Sequence, residues 1–326
     1  MTARQPPEWA EHEWVWIGFP SHEDLWLEDL ETGREEAAAF ARAVWAEGAG
    51  EPVRLVVADP KSATRARELA GPEIEIVLEP FGDIWLRDTG PIILKSGPER
   101  VAKSFMFNGW GGKYELEGDD TVGLRLAETA DMEPIRHKWV LEGGAIDVDG
   151  TGLAVTTEQC LLNPNRNPGM SREEVESRLR ADLGIERVLW LGEGLVNDHT
   201  DGHVDNLARF VGEGRLAIPV AAGEDDPNAA VYLDARARAE AFGLKVVPVP
   251  SPGRVERDGE IVPASYMNFY IGNAAIVVPL YGAANDEAAV EAIGALFAGR
   301  RAVGVRADHV LTGGGSFHCI SQQVPR

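Results

Sequence analysis

The chain has 326 residues, 44% of them hydrophobic, enough for a substantial core in one large domain or two average ones. It carries 53 Asp and Glu against 31 Lys and Arg, a formal net charge of −22 that argues against nucleic acid or an anionic membrane as a partner. No apolar run approaches bilayer length, the opening MTARQPPEWAEHEW has no signal-peptide core, and two cysteines make no disulfide framework, so a cytoplasmic protein is expected.

In chain order, EWVWIGF (13–19) predicts a strand and EEAAAFARAVWAEG (35–48) a helix ending in Gly. VRLVVA (53–58) and IEIVL (74–78) are further strands. DTGPIILKSGPERVAKSFMF starts at Asp88 and predicts a hairpin, as does EGGAIDVDGTGLAVTT, which starts at Glu142 and turns at DGTG. A Ser-capped helix follows over 171–184. HVDNLARFVGEGRLAIPV starts at His203 and turns at GEG. PVPSPGR (248–254) is the densest Pro/Gly stretch and reads as a surface loop. NFYIGNAAIVVPL is a fourth hairpin, headed by Asn268, and a helix over 285–299 follows it. GGGSFHCIS (313–321) brings Cys319 close to the end of the chain. No Ser- or Pro-rich linker divides the sequence, so 1–326 is expected to form a single domain.

Four hairpins open on a polar residue, and Cys319 follows the last of them at a similar interval. One reading is five strand-strand-helix-strand units around an axis, with Asp88, Glu142, His203 and Cys319 meeting at the centre. The other is an ordinary α/β sheet whose hairpins fall at this spacing by chance. The residues themselves make a chemical set. A thiolate is a nucleophile, a His carries protons, and carboxylates hold a cation. On an extended strand His203 and Asp205 would face one side together. Asp83 and Asp88 flank Trp85, which places acidic and aromatic surface together and suits a planar cation such as guanidinium.

Several stretches carry a family resemblance: DIWLRDTGP (83–91), FNGWGGKY (107–114), LEGGAIDVDG (141–150), NRNPGMS (165–171), DHTDGHVDNLARFV (198–211), SYMNFYI (265–271) and GGGSFHCISQQVP (313–325). On these the chain resembles the agmatine deiminase family, the group that includes bacterial-type peptidylarginine deiminases. The resemblance implies an α/β fold, the five-bladed pentein propeller of ββαβ units. It implies hydrolysis of a guanidinium to a ureido group with release of ammonia, using no metal or organic cofactor. For agmatine the product would be N-carbamoylputrescine, within polyamine synthesis or agmatine catabolism. By the same resemblance Cys319 is the nucleophile, His203 the acid and base, and Glu142 the residue that orients His203. Asp88 and Asp205 would grip the guanidinium. Trp85 and Trp110 would wall the substrate chain, with Asp83, Asp201 and Gly314 as further contacts. The implied partner is a small cationic guanidino compound, and a homodimer is the expected assembly.

Other readings remain at this stage. Asp201-Gly-His203-Val-Asp205 has the D-x-H-x-D spacing of dinuclear manganese ureohydrolases, which release urea, but that reading leaves Cys319 unexplained. A guanidine-binding module without chemistry is a third. Cys160 reads as a packed small hydrophobe, His12 and His22 as surface residues, and His137 as structural. His318 points away from Cys319 if the segment is extended and reads as structural. His199, where relatives would carry an acidic residue or another polar one, leaves open another guanidino compound such as 4-guanidinobutyrate.

Overall fold

The computed structural model describes residues 3–326. Strand β1 (His12–Gly18) is buried almost throughout and lies parallel to β2 (Val53–Val57), which lies parallel to β3 (Glu75–Leu78). Helix α1 (Leu30–Trp45) joins β1 to β2 and buries Ala37, Phe40, Ala41 and Val44. Helix α2 (Pro60–Ala70) begins where the sequence would start it. Asp59 accepts from the Lys61 and Ser62 amides, and Pro60, which lacks an N–H, occupies the first position.

Four further units repeat one connectivity. In each, two strands pair antiparallel, a helix crosses over, and a third strand returns parallel to the second. The first comprises β4 (Ile92–Ser96), β5 (Glu99–Met106), α3 (Val122–Thr129) and β6 (Ile135–Val140). The next comprises β7 (Ile146–Val148), β8 (Leu153–Thr157), α4 (Arg172–Leu183) and β9 (Arg187–Leu191). Ser171 and Glu174 close a capping box on α4. Then follow β10 (Arg209–Phe210), β11 (Arg215–Val220), α5 (Ala229–Phe242) and β12 (Lys245–Pro250). A small hairpin, β13 (Glu256–Arg257) and β14 (Glu260–Ile261), precedes the last of the four: β15 (Tyr270–Ile271), β16 (Ala275–Leu280), α6 (Asp286–Gly294) and β17 (Arg301–Arg306). The result is a mixed α/β molecule of several small sheets. The helix expected over 285–299 stops at Gly294, a weak helix former.

The sheet at the chain ends was not foreseen. Strand β18 (Ser321–Pro325) pairs antiparallel with β1, so the segment after Cys319 completes a unit begun at the N-terminus. The largest core cluster reflects that closure, with Phe317 stacked on Phe40 at 4.6 Å between ring centres. Burying a side chain such as Phe40 contributes roughly 1.5–3 kcal/mol.

The expectation that each polar residue opens a strand needs correction. Asp88 lies in the turn Leu86–Thr89, Glu142 caps Gly143–Ala145, His203 caps Val204–Asn206, and Asn268 lies in Tyr266–Asn268. Positive φ at Asp201 and Gly202 breaks the extended run, so strand alternation does not govern His203 and Asp205. His12 is buried rather than on the surface, its Nδ1 3.0 Å from Glu51 and from the Tyr270 hydroxyl, and His22 is half-buried against the Phe81 carbonyl. Among the described residues no helix is long and apolar enough to cross a membrane.

Candidate active site

The short turns touch one another in chain order, Leu86–Thr89 on Gly143–Ala145, that on Val204–Asn206, and that on Tyr266–Asn268. The Arg87 amide donates to the Cys319 carbonyl at 3.0 Å and brings in the chain's end. Asp88, Glu142, His203, Asp205 and Cys319 are thereby assembled in one buried centre. Beside it lies a cavity of about 280 Å³, lined by Trp85, Asp88, Trp110, Tyr114, His199 and Cys319, with Leu25, Leu27, Glu28 and Asp29 also on its wall.

Cys319 is held by Asn268, whose Nδ2 donates to Sγ at 3.0 Å and whose Oδ1 accepts from the Cys319 amide at 3.2 Å. Sγ is 3.5 Å from Asp205 Oδ2. The glycine run before it has a steric reason. A Cβ on Gly315 would lie 2.7 Å from the Trp85 ring and 3.0 Å from Sγ, so only glycine lets ring and thiol meet at that point. Burial, then the Asp205 and Asp88 carboxylates, push the thiol well above its usual range, so it is protonated in the free protein.

His203 is fully buried, with Nδ1 3.7 Å from Asp88 Oδ2 and Nε2 4.0 Å from Glu142 Oε2. Burial opposes its protonation, but Asp88, Cys160 and Glu142 outweigh it and hold the imidazole well above the usual histidine range. Asp88 accepts from Trp110 Nε1 and from the Gly144 amide, each at 2.9 Å. Burial raises its pKa against the pull of His203. Burial acts the same way on Asp205, but the bond from His318 and its charge outweigh it and keep Asp205 ionised. Both His203 nitrogens, Glu142 Oε2 and Asp205 Oδ1 are buried without a hydrogen-bond partner.

Other expected contacts fall differently. Asp83 lies on the cavity wall, but Oδ1 accepts from Trp26 Nε1 at 2.9 Å and Oδ2 from Trp85 Nε1 at 2.6 Å, so it fixes the aromatic walls. Asp201 does not line the cavity. It binds Lys113 and Arg166 at 2.6 Å and Asn165 at 3.0 Å. Arg166 in turn holds Glu142 at 2.6 Å, so Asp201 acts on the centre only through that arginine. Gly314 lines the cavity in a left-handed conformation beside His199. The D-x-H-x-D residues are therefore split between two environments. Among the described residues the one grouping with metal-ligating atoms close together is Glu142, Cys160 and His203, where Arg166 already supplies the positive charge. Cys160 is thus more than a packed hydrophobe, because its sulfur abuts the His203 ring.

Sequence reasoning missed Asn268 as a partner of the thiol, Arg166, and Gly144. The double glycine after Glu142 was the available signal for Gly144. It also missed Asp119, whose Oδ1 accepts from the Gly82 and Asp83 amides at 2.7 and 3.1 Å and braces the Trp85 loop. Burial, opposed by those two bonds, pushes Asp119 up to about 7. A carboxyl raised on folding stabilises the protein fully below its ordinary range, and that contribution is lost as pH climbs toward 7. Three units correspond to about 4 kcal/mol. Asp119→Asn should flatten the decline in melting temperature between about pH 4 and 7; parallel curves for variant and wild type would count against this.

Comparisons with known proteins cover the whole chain. The sequence profile of the Porphyromonas-type peptidyl-arginine deiminase family matches residues 4–325. A Streptomyces coelicolor protein assigned as an agmatine deiminase is 38% identical over all of this chain and all of its own length. The structure of an Enterococcus faecalis agmatine deiminase is 33% identical, with a TM-score of 0.93 over 99% of this chain and 96% of that one. A C. jejuni agmatine deiminase with substrate bound is 27% identical, with a TM-score of 0.93 over 100% of this chain and 97% of that one.

Proposed function

The chain belongs to the Porphyromonas-type peptidyl-arginine deiminase family, and on that premise we propose that it hydrolyses agmatine to N-carbamoylputrescine and ammonia. It is a hydrolase acting on a C–N bond of a linear amidine. The observation that carries the reading is the thiol of Cys319 set beside two buried carboxylates on a cavity walled by indoles.

The chemistry follows from the residues. The guanidinium lies between Trp85 and Trp110 and donates to Asp88 and to the unpartnered Asp205 Oδ1. Its charge offsets the two carboxylates that hold the thiol protonated, so substrate binding itself favours the thiolate and the thiol proton passes to solvent. Cys319 Sγ bonds to the guanidinium carbon. The C–N bond to the departing nitrogen breaks as His203 gives that nitrogen a proton and ammonia leaves. His203, now neutral, takes a proton from water. The resulting hydroxide bonds to the thiouronium carbon, the C–S bond breaks, and the departing thiolate takes up the hydroxyl proton, which leaves a neutral ureido product and the resting thiol. Glu142, fixed by Arg166, orients and charges His203.

The five sheets other than the β13–β14 hairpin are read as blades of a pentein propeller in one catalytic domain, and the ordered contacts of the short turns support this. A reducing cytoplasm suits the two free cysteines, and a homodimer is the assembly this reading carries.

The acidic Glu28 and Asp29 beside the cavity favour a cationic far end on the substrate, as in agmatine. His199 on the same wall favours the second reading, a guanidino compound with a different far end. Comparing kcat/KM for agmatine, arginine, 4-guanidinobutyrate and a peptidyl arginine decides between them, and agmatine should lead. Ammonia should be the nitrogen product with or without EDTA. Urea formation abolished by the chelator would sink the cysteine mechanism.

A further inference from the structure

Cys319 lines the cavity, but its neighbour His318 does not. His318 is only 2% exposed and sits between two carboxylates, Nδ1 2.7 Å from Asp205 Oδ2 and Nε2 2.7 Å from Glu8 Oε2. Glu8 is anchored as well. Oε2 lies 2.9 Å from Arg209 and 3.5 Å from Arg87, and Oε1 accepts from the Ile271 amide at 2.8 Å. Arg209 faces Asp147 at 3.5 Å and donates to the Phe269 carbonyl at 2.8 Å. Tyr270 and Arg300 also feel the Glu8 charge. On its other side Asp205 faces Cys319, His203 and Asp88.

An ionised carboxylate oxygen can only accept a hydrogen bond. Burial works against ionising Glu8, but Arg209 and His318 outweigh it and hold its carboxyl well below the usual range. His318 has a carboxylate oxygen 2.7 Å from each ring nitrogen, and a bridge that donates to both needs a hydrogen on both. We propose that Glu8 and His318 are positioning residues for guanidinium capture, a buried bridge that holds Asp205 turned so that Oδ1 is left for the substrate. Glu8, anchored by Arg209 and the Ile271 amide, holds His318 Nε2. His318 occupies Asp205 Oδ2 and fixes the carboxylate plane. A residue from the start of the chain thereby tunes a site at its end. This rests on the reading of Asp205 as a guanidinium ligand.

The experiment compares the pH dependence of kcat/KM for Glu8→Gln and His318→Asn with wild type, using agmatine. Removing either charge should move the acid limb upward by about one pH unit or more. On the acid limb it should raise KM by up to about tenfold for each pH unit of that shift while changing kcat far less, and Glu8→Asp should recover part of the loss. A purely structural role would lower kcat/KM by one factor at every pH and leave the limb in place, which would overturn the proposal. If the variants do not fold, nitrogen-15 NMR of wild-type His318, assigned through its backbone neighbours, decides. Both ring nitrogens should be protonated at pH 7, and a neutral ring there would overturn the proposal whatever guanidine the enzyme accepts. A wild type inactive on agmatine would instead count against the substrate reading and leave that NMR result to judge the bridge.

Discussion

Cys319→Ala should lower kcat on agmatine by roughly 10⁴-fold or more, because no second group can form the covalent intermediate. Agmatine should still bind, with a dissociation constant within a few-fold of the wild-type KM. The contacts assigned to binding are Asp88, Asp205 and the indole walls, and none needs the thiol for its position. Asp88 is held by Trp110 and Gly144, and Asp205 by His318. The fold should survive, since the substitution removes one sulfur whose main partner, Asn268, keeps its bonds to the Cys319 amide and to Asn206. Calorimetry and an ammonia assay on the same preparation separate the two effects. A variant that releases ammonia at near the wild-type rate would end the nucleophile assignment, and a wild type that binds guanidines without turnover would favour a binding module.

Gly144→Ala should also damage activity strongly, although the change is a single methyl group. A Cβ there would stand 2.6 Å from His203 Nδ1, 2.9 Å from Asp88 Oδ1 and 3.1 Å from Asp205 Oδ2. Those distances are below contact for three groups assigned to the chemistry, so at least one must shift. Gly144 is not in the left-handed region, so alanine meets no backbone strain of its own and the damage stays local. Displacing reacting groups by about 1 Å costs roughly 10²-fold, and kcat/KM should fall by at least that factor. The overpacking should cost stability only about 1–3 kcal/mol. Near wild-type kcat/KM in a folded Gly144→Ala protein would show that the centre has room the structure does not display.

Much of this arrangement was legible from local pattern. Alternating apolar runs around DGTG, GEG and GN marked hairpins, and all of them form. The polar heads were correctly grouped, but for a partly wrong reason. Their convergence comes from short helical turns that touch one another, while the sequence argument put each at the head of a hairpin in a repeat and used strand alternation to bring His203 and Asp205 together. Asp201 shows the consequence. On a strand it would have joined His203 and Asp205, whereas positive φ at 201 and 202 turns it to Lys113 and Arg166. The pairing of β18 with β1 was hidden because it joins opposite ends of the chain, and no short-range signal encodes it. Glu8 and Arg166 were hidden for the same reason, since a surface-like Glu or Arg in sequence becomes a buried partner only when the fold supplies a distant counter-charge. Asp119 looked like one acid in an acidic stretch, and only its bonds to the Gly82 and Asp83 amides show what it braces.

Rapid-quench peptide mapping during turnover tests the central claim most directly. Enzyme mixed with agmatine, stopped in acid at intervals shorter than one turnover and digested, should carry a mass increase from the bound amidine on the Cys319 peptide, and none on the peptide containing Cys160. Ammonia release at the full rate while the Cys319 peptide stays unmodified at every time point would contradict a covalent thiouronium at this centre.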